Sequence, residues 1–203
     1  MVLPLRQSKV VAATAVSVRF RRSGCSKSSA RTGCFSARRA AGFWYQTKID
    51  RVQVTEPDSN LPGFVIQVDG SARFNPGPAG IGIRVVRPDG AVISEVSRAI
   101  GVRTNNQAEY EALLQGLQEA AKLPSGSNVV VETDSELMFR QITGEYRVKD
   151  PALRSLHSQA VELLVRTSNV KLRLVSRERN RATDKLAKMA SGVLARKRND
   201  GAA

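Results

Sequence analysis

One histidine, His157, and two cysteines, Cys25 and Cys34, are all that this chain of 203 residues has of the softer metal ligands. Chemistry that needs two histidines is excluded. The cysteines share one low-complexity region, with no further Cys or His at metal-site spacing, which excludes a disulfide scaffold and a zinc finger. Aromatic residues are only 5%, so any core is built mostly from Val, Ile, Leu and Ala. Long apolar runs are missing as well. The stretch Val10 to Val18 is too short to span a bilayer and nothing later is long enough, so no membrane association is expected. Acidic residues are absent from the first 49 positions, which carry ten Lys and Arg.

That last absence divides the chain. The formal net charge is +14, yet the residues after 49 hold 22 basic and 18 acidic side chains, or +4. A very basic leader therefore precedes a mildly basic body. Residues 1–45 are rich in Arg and Ser, the composition of an organellar transit peptide, so a chloroplast or mitochondrial destination is expected. A secretory signal is the rival, but Arg19, Arg21 and Arg22 follow the apolar run at once. A disordered basic arm that binds nucleic acid is a third reading. Phe43-Trp44-Tyr45 closes the leader; these rings flank a processing site, pack on the body, or stack on bases. Residues 46–62 are polar, contain Pro57 and Pro62, and read as a linker. A folded domain over 63–197 and a short tail over 198–203 complete the expected division.

The body alternates strand and helix signals. Phe64 to Val68 is a β-rich run, stopped by a turn at Asp69-Gly70-Ser71. Asn75-Pro76-Gly77-Pro78 reads as a rigid loop. Ile81–Val86 and Ala91–Val96 flank Pro88-Asp89-Gly90, a hairpin signal. Thr104 and Gln107 stand at capping-box spacing, so a helix is predicted from there to about Lys122. A strand over Asn128–Thr133 and a short helix over Ser135–Thr143 follow. Asp150-Pro151 opens another helix, to about Arg166. Val170–Val175, alternating apolar and basic, is the last strand, and a helix over about Thr183–Arg196 ends the body. The order β-β-β-α-β-α-α-β-α predicts an α/β fold: a mixed five-stranded sheet, three antiparallel strands then parallel additions, flanked by helices.

Four acids occupy unusual places. Asp69 and Asp134 follow β-rich runs and so fall at the carboxyl ends of strands. Glu109 shares its helical stripe with Ala112, Leu113, Gly116, Leu117 and Ala120, which places it towards the sheet. Asp184 falls in the first turn of the last helix. Each alone has a bland explanation: a turn residue, a satisfied buried acid, or a charge on a helix dipole. Together they suit hard oxygen ligation of divalent cations. Two such ions, about 4 Å apart, serve phosphodiester cleavage.

At these residues the chain resembles a type 1 ribonuclease H. The matching segments come in order: Val68-Asp69-Gly70-Ser71, Asn75 to Gly82, Thr104-Asn105-Asn106-Gln107-Ala108-Glu109-Tyr110, Thr133-Asp134-Ser135, Arg177-Glu178-Arg179-Asn180, and Asp184-Lys185-Leu186-Ala187. The likeness spans about 64–195 and is closest to the compact archaeal and plant-type branch. It implies a ribonuclease H-like fold and hydrolysis of the RNA strand of RNA–DNA hybrids. It also implies two Mg2+ ions, with Mn2+ as a substitute, on Asp69, Glu109, Asp134 and Asp184 as metal-binding catalytic residues. Asn75, Asn105, Asn106 and Gln107 then fall where the hybrid's minor groove is read, and Thr104 near a DNA-strand phosphate. No obligate protein partner is evident.

Two departures stand out. The loop after the last strand, where many members of the family have a histidine, runs Val175-Ser176-Arg177-Glu178 here. Arg177 and Glu178 are candidates for its role, or form a structural ion pair. Thr183 stands where an Ala usually precedes the last Asp. His157 is expected to be structural. Two other functions stay open: a non-catalytic nucleic-acid-binding protein with this fold, and a domesticated retroelement-derived interaction domain.

Overall fold

Gly90 takes a φ of +85°, and the Asp-Gly hairpin forms around it in the computed structural model, which describes residues 48–55, 63–167 and 169–200. Asp89 Oδ1 accepts from the Ala91 N–H at 3.0 Å, and the Arg87 N–H donates to Ala91 O at 2.9 Å. The elements are β1 (Phe64–Ala72), β2 (Gly77–Val86), β3 (Val92–Arg103), α1 (Asn105–Ala120), β4 (Val129–Thr133), α2 (Glu136–Ile142), α3 (Pro151–Arg166), β5 (Val170–Leu174) and α4 (Arg181–Asp200). The sheet order is β3-β2-β1-β4-β5. The first three strands pair antiparallel; β4 joins β1, and β5 joins β4, in parallel. This is the mixed five-stranded sheet that the sequence predicts.

Helix starts follow their capping chemistry. Thr104 caps α1, with the reciprocal Thr104–Gln107 bonds of a capping box in place. Ser135 caps α2, and Asp150 caps α3 with Pro151 at its first position. The main core lies between the sheet and helices α1 to α3. Ile66, Val68, Tyr110, Leu113, Val131, Ile142 and Leu172 are all fully buried there.

Several expected boundaries move. β1 is not stopped at Asp69-Gly70-Ser71. It pairs straight through, Asp69 with Gly82, Gly70 with Ile81 and Ser71 with Gly80. β2 correspondingly starts at Gly77, inside the expected loop. The glycine that reads as a turn residue serves close packing: a Cβ on Gly70 would lie 2.2 Å from the Ala108 carbonyl carbon of α1. On β2, a Cβ on Gly82 would lie 2.3 Å from Thr183 O of α4. Gly70→Ala is therefore expected to cost about 1–3 kcal/mol or more, because backbone rather than a flexible side chain must yield. Thermal melting checks this, and an unchanged Tm would contradict it.

Residues 48–55, read as linker, belong to the domain. Ile49 is buried in the core, Val54 bridges Leu172 in parallel, and Leu172 N–H donates to Gln53 O at 2.9 Å. The segment thereby covers part of the outer edge of β5, which would otherwise present unpaired backbone groups. α4 also continues to Asp200, past the expected domain end. The leader, with Phe43-Trp44-Tyr45, lies outside the described residues.

Candidate active site

The parallel register of β1 and β4 sets Gln67 opposite Glu132. Asp69 and Asp134 each follow two residues later, so they rise side by side at one end of the sheet. The two glycine contacts bring in the other acids. At Gly70 the backbone of α1 comes so close that a Cβ would lie 2.3 Å from the Glu109 N. At Gly82, the partner of Asp69, the first turn of α4 sits directly on the strand, and Asp184 follows Thr183 there. The four acids thus converge from four elements. Asp69 is buried; Glu109, Asp134 and Asp184 are half-buried.

Their electrostatics report that convergence. Burial, followed by repulsion from Asp134, Glu109 and Asp184, pushes the Asp69 carboxyl up to about 8. Burial also raises Glu109, to about 7, against hydrogen bonds from Ser135 and Asn105. The acids approach one another without closing on a point: among the described residues, no three Asp, Glu, His or Cys side chains form a ready cation cage. Each outer acid has its own holder. Asn105 Nδ2 donates to Glu109 Oε1 at 3.0 Å, and Asn180 Nδ2 donates to Asp134 Oδ1 at 2.7 Å. Lys188 stands 2.7 Å and Arg177 4.0 Å from Asp184.

The donor set fits divalent cations. It is all oxygen, partly desolvated and self-repelling, so a cation relieves the cost of charging it. Beside Asp134, the Asn180 Oδ1 is buried with no hydrogen-bond partner. The orientation of that amide is fixed, because its Nδ2 also donates to Val68 O at 3.0 Å.

The residues expected to touch substrate divide into two groups. Thr104 and Gln107 are engaged in the helix cap, with Thr104 N–H donating to Gln107 Oε1 at 2.9 Å. Asn105 links three parts: its Oδ1 accepts from Ala72 N–H at 3.2 Å, its N–H donates to Asn75 Oδ1 at 3.1 Å, and its Nδ2 holds Glu109. Asn106 and Asn75 are exposed. Arg177 and Glu178 do not pair with each other. Arg177 turns to Asp184, while Glu178 is held low by its own backbone N–H and the Ser176 hydroxyl. His157 is structural, as expected: it is fully buried, with Nε2 2.9 Å from Gln141 O and its ring edge-on to Tyr110.

Asn180 gains a role that only the fold shows, although its spacing four residues before Asp184 is a signal in the sequence. A polar row across all five strands is likewise invisible without the register. Glu95, Arg84, Gln67, Glu132 and Arg173 are successive cross-strand neighbours. Gln67, Glu132 and Arg173 are buried, so the alternation of β5 does not mark a solvent face at Arg173. Glu132 accepts from Gln67 Nε2 at 3.1 Å and faces Arg173 at 3.5 Å and Arg179 at 3.1 Å. Arg179 belongs to the loop that carries Asn180 towards Asp134.

This sheet order, with a helix seated on each face beside a rim of four acids, defines a ribonuclease H-like domain. A family model described as reverse transcriptase-like matches residues 67–190, and the chain belongs to that family, as a type 1 ribonuclease H. A bifunctional protein of Mycobacterium tuberculosis is 41% identical over 132 residues, which cover 64% of this chain and 36% of that protein. The ribonuclease HI of Halobacterium salinarum is 39% identical over 122 residues, 60% of this chain and 61% of the relative. The chain therefore spans less than two thirds of either relative. The crystal structure of LC11-RNase H1 in complex with an RNA/DNA hybrid matches with a TM-score of 0.60 and 36% identity, covering 65% of this chain and 99% of that one.

Proposed function

We propose that this protein hydrolyses the RNA strand of RNA–DNA hybrids. The observation that carries the reading is the convergence of Asp69, Glu109, Asp134 and Asp184 on one rim, where burial and then mutual repulsion push the Asp69 carboxyl up to about 8. Those four residues would hold the divalent cations that the family uses, with two Mg2+ as the natural ions and Mn2+ as a substitute. When bound, the ions supply an activated water and charge stabilisation at the leaving oxygen. The protein's own residues prepare the site. Asn105 orients Glu109, and Asn180 orients Asp134 while anchored on β1. Lys188 and Arg177 offset the charge of Asp184 until a cation takes that place. Asn106, in the first turn of Glu109's helix, and Asn75, in the β1–β2 connection beside it, are both exposed and offer short amides that suit 2′-hydroxyls in a minor groove.

The test is cleavage of labelled hybrid, duplex RNA and duplex DNA, each with Mg2+ and with EDTA. Hybrid alone should be cut, and only with Mg2+. A protein that binds the hybrid and never cuts it would support the non-catalytic reading. Asn106→Ala should raise KM for a hybrid and lower its rate, while weak, salt-sensitive binding to duplex DNA stays intact. Melting and cleavage measured on one preparation separate this from a purely structural Asn106; a destabilised but fully active variant would defeat the recognition role.

We also propose that residues 1–45 direct the protein to an organelle. A reporter fused to residues 1–50 should enter a plastid or mitochondrion, and a cytosolic or secreted reporter would contradict this. Among the described residues, no helix is long and apolar enough to cross a membrane.

A further inference from the structure

Phe74 is the most exposed large hydrophobic side chain among the described residues, at 66%. It lies in the connection between β1 and β2, with Arg73, Asn75 and Pro76 exposed around it. The connection is tightly folded. Arg73 N–H donates to Pro78 O at 2.9 Å, and a Cβ on Gly77 would lie 2.7 Å from Phe74 Cβ. The base of the side chain is therefore held close against the start of β2, while its ring stands in solvent.

The neighbours of Phe74 tie it to the site. Ala72 N–H donates to Asn105 Oδ1, and Asn75 Oδ1 accepts from Asn105 N–H. Asn105 in turn holds Glu109. Phe74 is thus bracketed by two bonds to Asn105, the residue that orients Glu109. At 66% exposure the side chain leaves most of its apolar surface in water, so burial within the fold does not account for it.

We propose that Phe74 is a substrate contact that seats its ring in the minor groove of the hybrid, against the sugars, and favours hybrid over duplex DNA. This rests on the function proposed above. A heteroduplex has A-form geometry, and the minor groove of that form is wide and shallow, open to a flat apolar group. The minor groove of B-form DNA is about 6 Å wide and admits a ring only if the duplex is deformed.

The test compares the full chain with Phe74→Ala and Phe74→Leu, at about 0.15 M salt so that long-range attraction by the basic leader is screened. Fluorescence anisotropy with labelled hybrid and labelled duplex DNA, in EDTA, gives Kd; steady-state cleavage with Mg2+ gives KM and kcat. Phe74→Ala should raise Kd and KM for the hybrid about tenfold. Its kcat at saturating hybrid, its Kd for duplex DNA and its Tm should match the wild type, and Phe74→Leu should recover part of the loss. Unchanged hybrid affinity, or an equal loss on hybrid and duplex DNA, would overturn the proposal. Failure of the wild type to cleave would overturn the hydrolytic reading instead, and the anisotropy ratio would still decide the role of Phe74.

Discussion

Asp134→Asn is expected to lower the rate of hybrid cleavage by about a hundredfold or more, while the metal-free protein melts at the same temperature or higher. The amide keeps the size of the side chain and removes one negative charge from a rim built to hold cations. Activity falls because a cation loses an anionic donor. Stability moves the other way because Asp134 is the strongest charged neighbour raising Asp69. The folded protein binds a proton at Asp69 up to about 8, whereas the unfolded chain releases it near 3.8. Between those values the native state holds more protons, so metal-free stability falls as pH rises. Asp69→Asn removes the share of that slope that Asp69 carries, while Glu109, raised to about 7, keeps its own. In EDTA its advantage in Tm over the wild type should be negligible at the acid end of the window and widen towards pH 8. Adding Mg2+ should stabilise the wild type more than either variant. A wild-type rate in Asp134→Asn, or a Tm advantage that shrinks with rising pH, would contradict this account of the site.

The second large effect is structural. Glu132→Ala is expected to destabilise the domain by about 3–5 kcal/mol, because the carboxylate is fully buried between two arginines. Removing it takes from Arg173, which is 4% exposed, an anion that neutralises it inside the sheet. The same change releases Arg179, and with it the loop that brings Asn180 to Asp134. Glu132→Gln should cost less, since an amide can still accept from an arginine. Denaturant unfolding of both variants checks the order, and a Glu132→Ala protein as stable as the wild type would show that the row contributes little.

Much of this was legible where local chemistry decides. Thr104 with Gln107, Asp150 with Pro151 and Asp89 with Gly90 each satisfy backbone groups within a few residues, so their caps and turn follow from the sequence. The four acids were legible for a related reason: a carboxylate on an apolar stripe or at a strand end is costly, and that cost is visible without coordinates. Gly70 misled because a glycine needed for a turn and one needed for close helix packing look alike, and only α1 against β1 tells them apart. Glu132, Gln67 and Arg173 stayed hidden because their alignment depends on cross-strand register. Residues 48–55 pair with Leu172, more than a hundred residues away, which no local pattern reveals. Asn105 and Gln107, expected beside the minor groove, also make bonds within the protein, to Glu109 and in the helix cap, while the amides of Asn75 and Asn106 are the exposed ones.

The most direct measurement labels the two strands of one hybrid separately and incubates it with the wild-type protein and Mg2+. Shortening of the RNA strand with the DNA strand intact, stopped by EDTA and by Asp134→Asn, is the predicted result. Cleavage that persists in EDTA or in Asp134→Asn, or an RNA strand left whole by the wild type, would contradict hydrolysis at these four carboxylates.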